Sequence, residues 1–246
     1  NELTDSLIAN NYQKKIKADL EDVWITSDIS IPIRRGNKTF YYLDDGIQQQ
    51  SIFMMKQCDN CQPKILIDPN KFSEDGTVSL SDISVSPNGE YLAYSISDGG
   101  SDWRTWKVLE IDTEKTTDDL IEWSKFSYAT WESDSSGFYY QKYNKPEEAL
   151  SDINRSPQLF FHKLGDKQED DVLIYEDRQN PDYSWSISVP EKGSYRILSI
   201  GEGTDERNFL SISLDKDLNF IPLIDEFEAT YRFIGGNEDT LWFFSN

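Results

Sequence analysis

Histidine occurs once, cysteine twice and methionine twice in 246 residues. A Ser-His-Asp triad needs a histidine base. The only one here, His162, sits inside a strand-like run, LFFHKLG, with no nucleophile motif near it, so it reads as structural. None of the glycines builds the G-x-S-x-G elbow of an α/β-hydrolase. No G-x-G-x-x-G, P-loop or H-E-x-x-H is present either, so the residues in view carry no recognisable catalytic apparatus and imply no cofactor. The two cysteines form one C-x-x-C, Cys58 and Cys61 in QCDNCQP. Structural zinc takes about four ligands, and no second pair exists. A thioredoxin-type motif needs a βαβ context that the chain lacks. The motif CDNC is therefore expected at the tip of a hairpin between SIFMMK and KILIDP, its cysteines either free thiols or a local disulfide. No apolar run reaches the roughly 18 residues of a membrane span. The first residues lack a basic segment followed by an apolar one, so they do not read as a signal peptide. Basic residues are outnumbered 24 to 45 by acidic ones, a net charge of −21. A surface of that sign repels phosphate backbones and anionic headgroups, so neither nucleic acid nor membrane is an expected partner.

What the chain has in quantity is aromatic residues: 7 Trp, 13 Tyr and 13 Phe. Together with β-branched residues they favour strands. Polar turns containing Gly36, Gly89, Gly137, Gly193 and Gly236 each precede a short aromatic or β-branched strand: FYYLDD, YLAYSIS, FYYQKY, YRILSIG and LWFFS. The glycines are separated by 53, 48, 56 and 43 residues. A second strand follows in WKVLEID (106–112), QLFFHKLG (158–165) and NFLSISLD (208–215), and a third element in KILIDP and DVLIYED. A period of about 40–55 residues made of short strands is the signature of propeller blades, which bury their faces only by stacking around an axis. The fold class expected is all-β: a partial β-propeller of about four blades plus the start of a fifth, preceded by a short α-helix. Leu3, Leu7, Ile8, Tyr12, Ile16 and Leu20 recur at helical spacing over 2–22, with Thr4 or Asp5 as cap. Residues 1–24 are thus read as a helical segment and 25–246 as an incomplete propeller. Closure takes about four to eight blades, and the last turn and strand have no partners after them, so the chain is expected to be a piece of something longer.

The stretch GTVSLSDISVSPNGEYLAYSISDGGSDWRTWKVLEID (76–112) resembles the early propeller of the prolyl oligopeptidase family of post-proline serine peptidases. So do FYYLDDGIQQQSIFMM and ILIDPNKFSEDGTV before it. KFSYATWESDSSGFYY, LFFHKLG, YRILSIGEGTDERN and LIDEFEATY follow in the family's order. The resemblance spans nearly the whole chain. It implies a fragment of a seven-bladed propeller that caps an α/β-hydrolase domain absent from this chain. The peptidase would hydrolyse short peptides after proline, and the catalytic triad would lie outside these residues.

Resemblance also implies partners and substrate-binding positions. The partners are short proline-containing peptides and the missing α/β-hydrolase domain. The Asp of GSDW matches Asp102, and the Phe of KFS matches Phe126. An Asp at the cavity would attract a basic group, and a Phe would give an apolar wall. The family's SIxEG loop falls on Ser199–Thr204. Some members carry a basic residue where Gly201 stands and a thiol where Thr204 stands, so the charge and reactivity of that side differ here. Against these roles stand structural ones: Asp102 holding the Gly99-Gly100 turn, and Phe126 as core. A catalytically inactive, stand-alone propeller binding protein is the alternative function, and a sibling such as oligopeptidase B fits GSDW and its flanks less well. The family has cytoplasmic and periplasmic members, and both compartments stay open.

Overall fold

Every glycine turn named above that falls among the described residues opens onto a strand. The structure is a computed structural model and describes residues 2–147, 154–190, 194–214, 218–237 and 239–246. Gly193 and Asp215 lie outside the described residues. Two compact units divide the chain, Asn1–Gly76 and Thr77–Asn246.

The first unit starts with two helices, α1 (Glu2–Ile8) and α2 (Asn11–Trp24). This corrects the expectation of one helix over 2–22 capped by Thr4 or Asp5. Thr4 lies within α1, and the break falls at Asn10, whose side chain accepts from the Gln13 amide at 2.9 Å as the cap of α2. Asparagine offers the backbone this alternative bond and so favours a cap over a helix interior. Leu3, Leu7, Tyr12, Ile16 and Leu20 are all exposed, and α2 buries none of its residues. Among the described residues no helix is long and apolar enough to cross a membrane.

Five antiparallel strands follow: β1 (Asp28–Ile29), β2 (Ile33–Arg35), β3 (Lys38–Asp44), β4 (Ile52–Lys56) and β5 (Lys64–Ile67). Gly36, at φ +58°, makes the tight β2–β3 turn. Phe40, Phe53 and Met55 are fully buried, the two rings stacked 6.0 Å apart. The CDNC segment joins β4 to β5 as a hairpin, and Cys58 and Cys61 are bonded to each other. Arg34 reaches Asp59 at 3.5 Å across this tip.

In the second unit, β6 (Val78–Val85), β7 (Tyr91–Asp98), β8 (Trp103–Glu110) and β9 (Lys115–Lys125) form an antiparallel meander. The turn in SPNGE, with Gly89 at φ +71°, joins β6 to β7. A second meander follows in β10 (Thr130–Trp131), β11 (Gly137–Lys142), β12 (Gln158–Lys163) and β13 (Val172–Glu176). One pairing, Lys142 opposite Ser124, fuses these two meanders into a single eight-stranded sheet. A third meander comprises β14 (Tyr183–Ser188), β15 (Arg196–Glu202), β16 (Asn208–Ser213) and β17 (Ile221–Ile224). A hairpin of β18 (Tyr231–Gly236) and β19 (Leu241–Ser245) comes last.

Apolar layers sit between successive meanders. The first joins Ala93, Trp106, Val108 and Ile121 to Trp131, Phe138 and Tyr140. The next joins Tyr139 and Leu159 to Trp185, Ile187, Leu198 and Ile200. Tyr195, Ile197, Leu210 and Ile212 then meet Tyr231, Phe233 and Phe243. The meanders β10–β13 and β14–β17 are thus apolar on both faces and covered by their neighbours, the propeller arrangement the repeat implied. Full burial of one such side chain stabilises the fold by about 1.5–3 kcal/mol.

Candidate functional site

Two buried polar clusters fix the geometry around the third and fourth blades. His162 is fully buried between two carboxylates: Nδ1 lies 2.7 Å from Asp171 Oδ1, and Nε2 lies 2.9 Å from Asp119 Oδ1. Both ring nitrogens donate only in the imidazolium form. Burial works against that charge, but the hydrogen bonds and charges of Asp119 and Asp171 outweigh it and raise the imidazole to about 9. Asp171 also accepts from Tyr140 Oη at 2.6 Å, and Asp119 from the Gly165 amide at 2.6 Å and from Thr117 Oγ1. With both ring nitrogens engaged by Asp119 of β9 and by Asp171 just before β13, the cluster ties β12 to β9 and to the start of β13.

The second cluster ties meanders together. Arg196 on β15 binds Glu132 through two nitrogens, Nη2 at 2.7 Å and Nε at 3.1 Å. Tyr139 Oη donates to the same carboxylate at 2.8 Å. Burial pushes Glu132 up, and its bonds from Arg196, Ser133 and Tyr139 bring it below the usual carboxylate range.

Between these anchors opens a cavity of about 810 Å³. Its lining includes the aromatic residues Phe126, Tyr128, Tyr183 and Trp185, with Gln141 and Ser184 among its polar groups. Phe126 and Thr204, both proposed from the sequence, line this one cavity, and Gly201 lines it too. Phe126 is 62% exposed, so it is not a core residue. Its backbone lies in the left-handed region at φ +52°, as does that of Trp123 at φ +62°. Thr204 follows Gly203, which stands at φ +53° and donates to Asp182 O at 3.2 Å.

Asp102 is not part of this lining. Its exposed carboxylate pairs with Lys125 Nζ at 3.4 Å. That ammonium also lies 5.2 Å from the Phe126 ring and 5.3 Å from Trp103. The cation Asp102 would attract is therefore supplied from within the chain, immediately before Phe126. Sequence reasoning missed Tyr128, Gln141, Tyr183 and Trp185, because no motif marks residues that meet only when two meanders stack.

The family described as prolyl oligopeptidase, N-terminal beta-propeller domain, matches residues 1–246. The chain belongs to the prolyl oligopeptidase family. A prolyl endopeptidase from Elizabethkingia miricola is 35% identical over 240 residues, covering 97% of this chain and 34% of its own length. A solved structure from work on two prolyl endopeptidases and their inter-domain dynamics superposes with a TM-score of 0.82 at 26% identity, covering 99% of this chain and 35% of that one. Prolyl oligopeptidase B from Galerina marginata, bound to a 25-mer macrocyclization substrate, reaches a TM-score of 0.90 at 23% identity over 100% of this chain and 38% of its own, a likeness of fold. This prolyl oligopeptidase-family chain thus spans about a third of the length of the relatives it matches.

Proposed function

We propose that this propeller is the substrate-filtering portion of a serine endopeptidase that hydrolyses short peptides after proline. Acyl transfer through a serine, with a histidine base and an oxyanion hole, would be supplied by an α/β-hydrolase domain outside these residues. The observation that carries the reading is the cavity of about 810 Å³ with Phe126 held exposed in its wall, beside Tyr183 and Trp185 in the lining. Phe126 and Thr204 would contact peptide. Asp102 would act at one remove, by setting the position of Lys125. The exposed apolar stripe of α1 and α2 would be covered by the hydrolase domain. Of the two compartments left open by the family, the Cys58–Cys61 bond favours the oxidising one, the periplasm.

The test uses full-length protein and an internally quenched peptide with one proline and one arginine. Cleavage on the carboxyl side of proline, blocked by a serine-directed phosphonate, is the expected result. Cleavage after arginine would point to an oligopeptidase B-like enzyme, and tight binding without cleavage to a binding protein; either would overturn the proposal.

A further inference from the structure

Phe126 gains little from burial at 62% exposure, yet it stands at φ +52°, where a bulky side chain persists only if its surroundings hold it. The surroundings that hold it converge on Gln141, a β11 residue only 2% exposed. The Gln141 backbone amide donates to Ser127 Oγ at 2.7 Å, and its carbonyl accepts from Ser124 Oγ at 2.9 Å. Its side-chain amide donates to Lys125 O at 3.4 Å and accepts from the Trp185 amide at 2.9 Å. One residue therefore bonds to Ser124, Lys125 and Ser127, on both sides of Phe126, and to the meander across the cavity. Trp106 Nε1 to Ser124 Oγ at 3.1 Å and Arg104 Nη1 to Ser127 O at 3.2 Å brace the same segment.

We propose that Gln141 is a positioning residue for Phe126. Its amide holds the segment that presents the ring and joins it to Trp185 in the opposite wall, so that both walls keep one spacing for peptide. The proposal rests on the reading of this cavity as a peptide site. A glutamine suits the role because its amide donates and accepts at once. Glutamate has the same shape but only accepts when ionised, and it would set a carboxylate against the Lys125 carbonyl.

The experiment measures kinetics of full-length protein on two substrates, a chromogenic Gly-Pro anilide and a decapeptide with one internal proline. Gln141→Glu, Ser127→Ala and Phe126→Ala are compared with the parent. Each is expected to raise KM for the decapeptide, by about tenfold for Phe126→Ala and Gln141→Glu and by more than it changes the anilide KM, while decapeptide kcat holds, the pattern of lost uniform binding. A structural role alone would lower kcat on both substrates together, and that result would overturn the proposal. So would a decapeptide KM that stays at the parent value in Gln141→Glu and Ser127→Ala while Phe126→Ala raises it. If Phe126→Ala itself has no effect, the peptide-site reading fails, and this proposal with it. Should Gln141→Glu not fold, Ser127→Ala decides, because it removes one bond of the clamp and introduces no charge.

Discussion

The two walls of the cavity are built in different ways. On one side, Phe126 stands on a segment clamped from below by Ser124, Ser127 and Gln141, all buried. On the other, Thr204 sits on an exposed turn, flanked by the Gly203 amide bonded to Asp182 O and by Arg207, which pairs with Asp205 at 2.6 Å and donates to Phe227 O at 3.0 Å. Bonds at an exposed turn can be exchanged for bonds to water when a residue changes, whereas a buried donor or acceptor left without its partner is costly.

Substitutions can break or sharpen that contrast. The largest effect is expected at the tie between the walls. Arg196→Met leaves the buried Glu132 carboxylate without its charge partner, a loss of about 3–5 kcal/mol for such pairs. A chemical-denaturation midpoint well below that of the parent checks it. The buried His162 cluster should show itself as a pH dependence. The imidazole is raised from 6.5 to about 9 in the fold. A raised base stabilises fully below its unfolded value and loses that contribution as pH climbs through its folded one. Thermal midpoints should therefore fall between about pH 6.5 and 9, and His162→Gln should flatten that decline. A smaller gain in stability should follow from relieving the strain at the clamped wall. Phe126→Gly removes the side-chain clash of the left-handed region and is expected to stabilise the chain by about 1 kcal/mol, while weakening peptide binding. A variant that lost both stability and binding would show that the ring packs rather than presents itself. On the Thr204 wall, Arg207→Ala should move the denaturation midpoint little, because its pair with Asp205 and its bond to Phe227 O both lie at the exposed surface.

Much of the fold was legible in the sequence because it is written in local chemistry. Glycine turns followed by alternating strands located β3, β7, β11 and β19, and KILIDP and DVLIYED located β5 and β13. A hairpin needs only its turn and its alternation to be recognised. The helical break at Asn10 was missed because apolar spacing carried across it, and a cap inside a periodic run adds no apolar signal. The candidate site was addressed by the sequence only through resemblance. Phe126 and Thr204 were reached through motif resemblance, and the structure brings them into one cavity. Asp102 was expected beside them, but its charge is engaged by Lys125 at a point no spacing rule addresses. Gln141 could not be found at all. Its role depends on the left-handed backbone of Phe126 and on the Trp185 amide, 44 residues away in sequence.

The lone Lys142–Ser124 rung has a mechanical consequence. Because main-chain ladder bonds run unbroken from β6 through to β13, the second and third blades form a single plate. Among the described residues, no strand of that plate pairs with β14–β17, so the next boundary is a seam of side-chain packing and single bonds, such as Gln141 to the Trp185 amide and Ser156 N–H to Pro181 O, with no ladder. Under load or thermal agitation, a ring assembled from such pieces is expected to part first where no ladder crosses. The cavity lies along that seam, with Phe126 on the plate and Thr204 on the leaf beyond it.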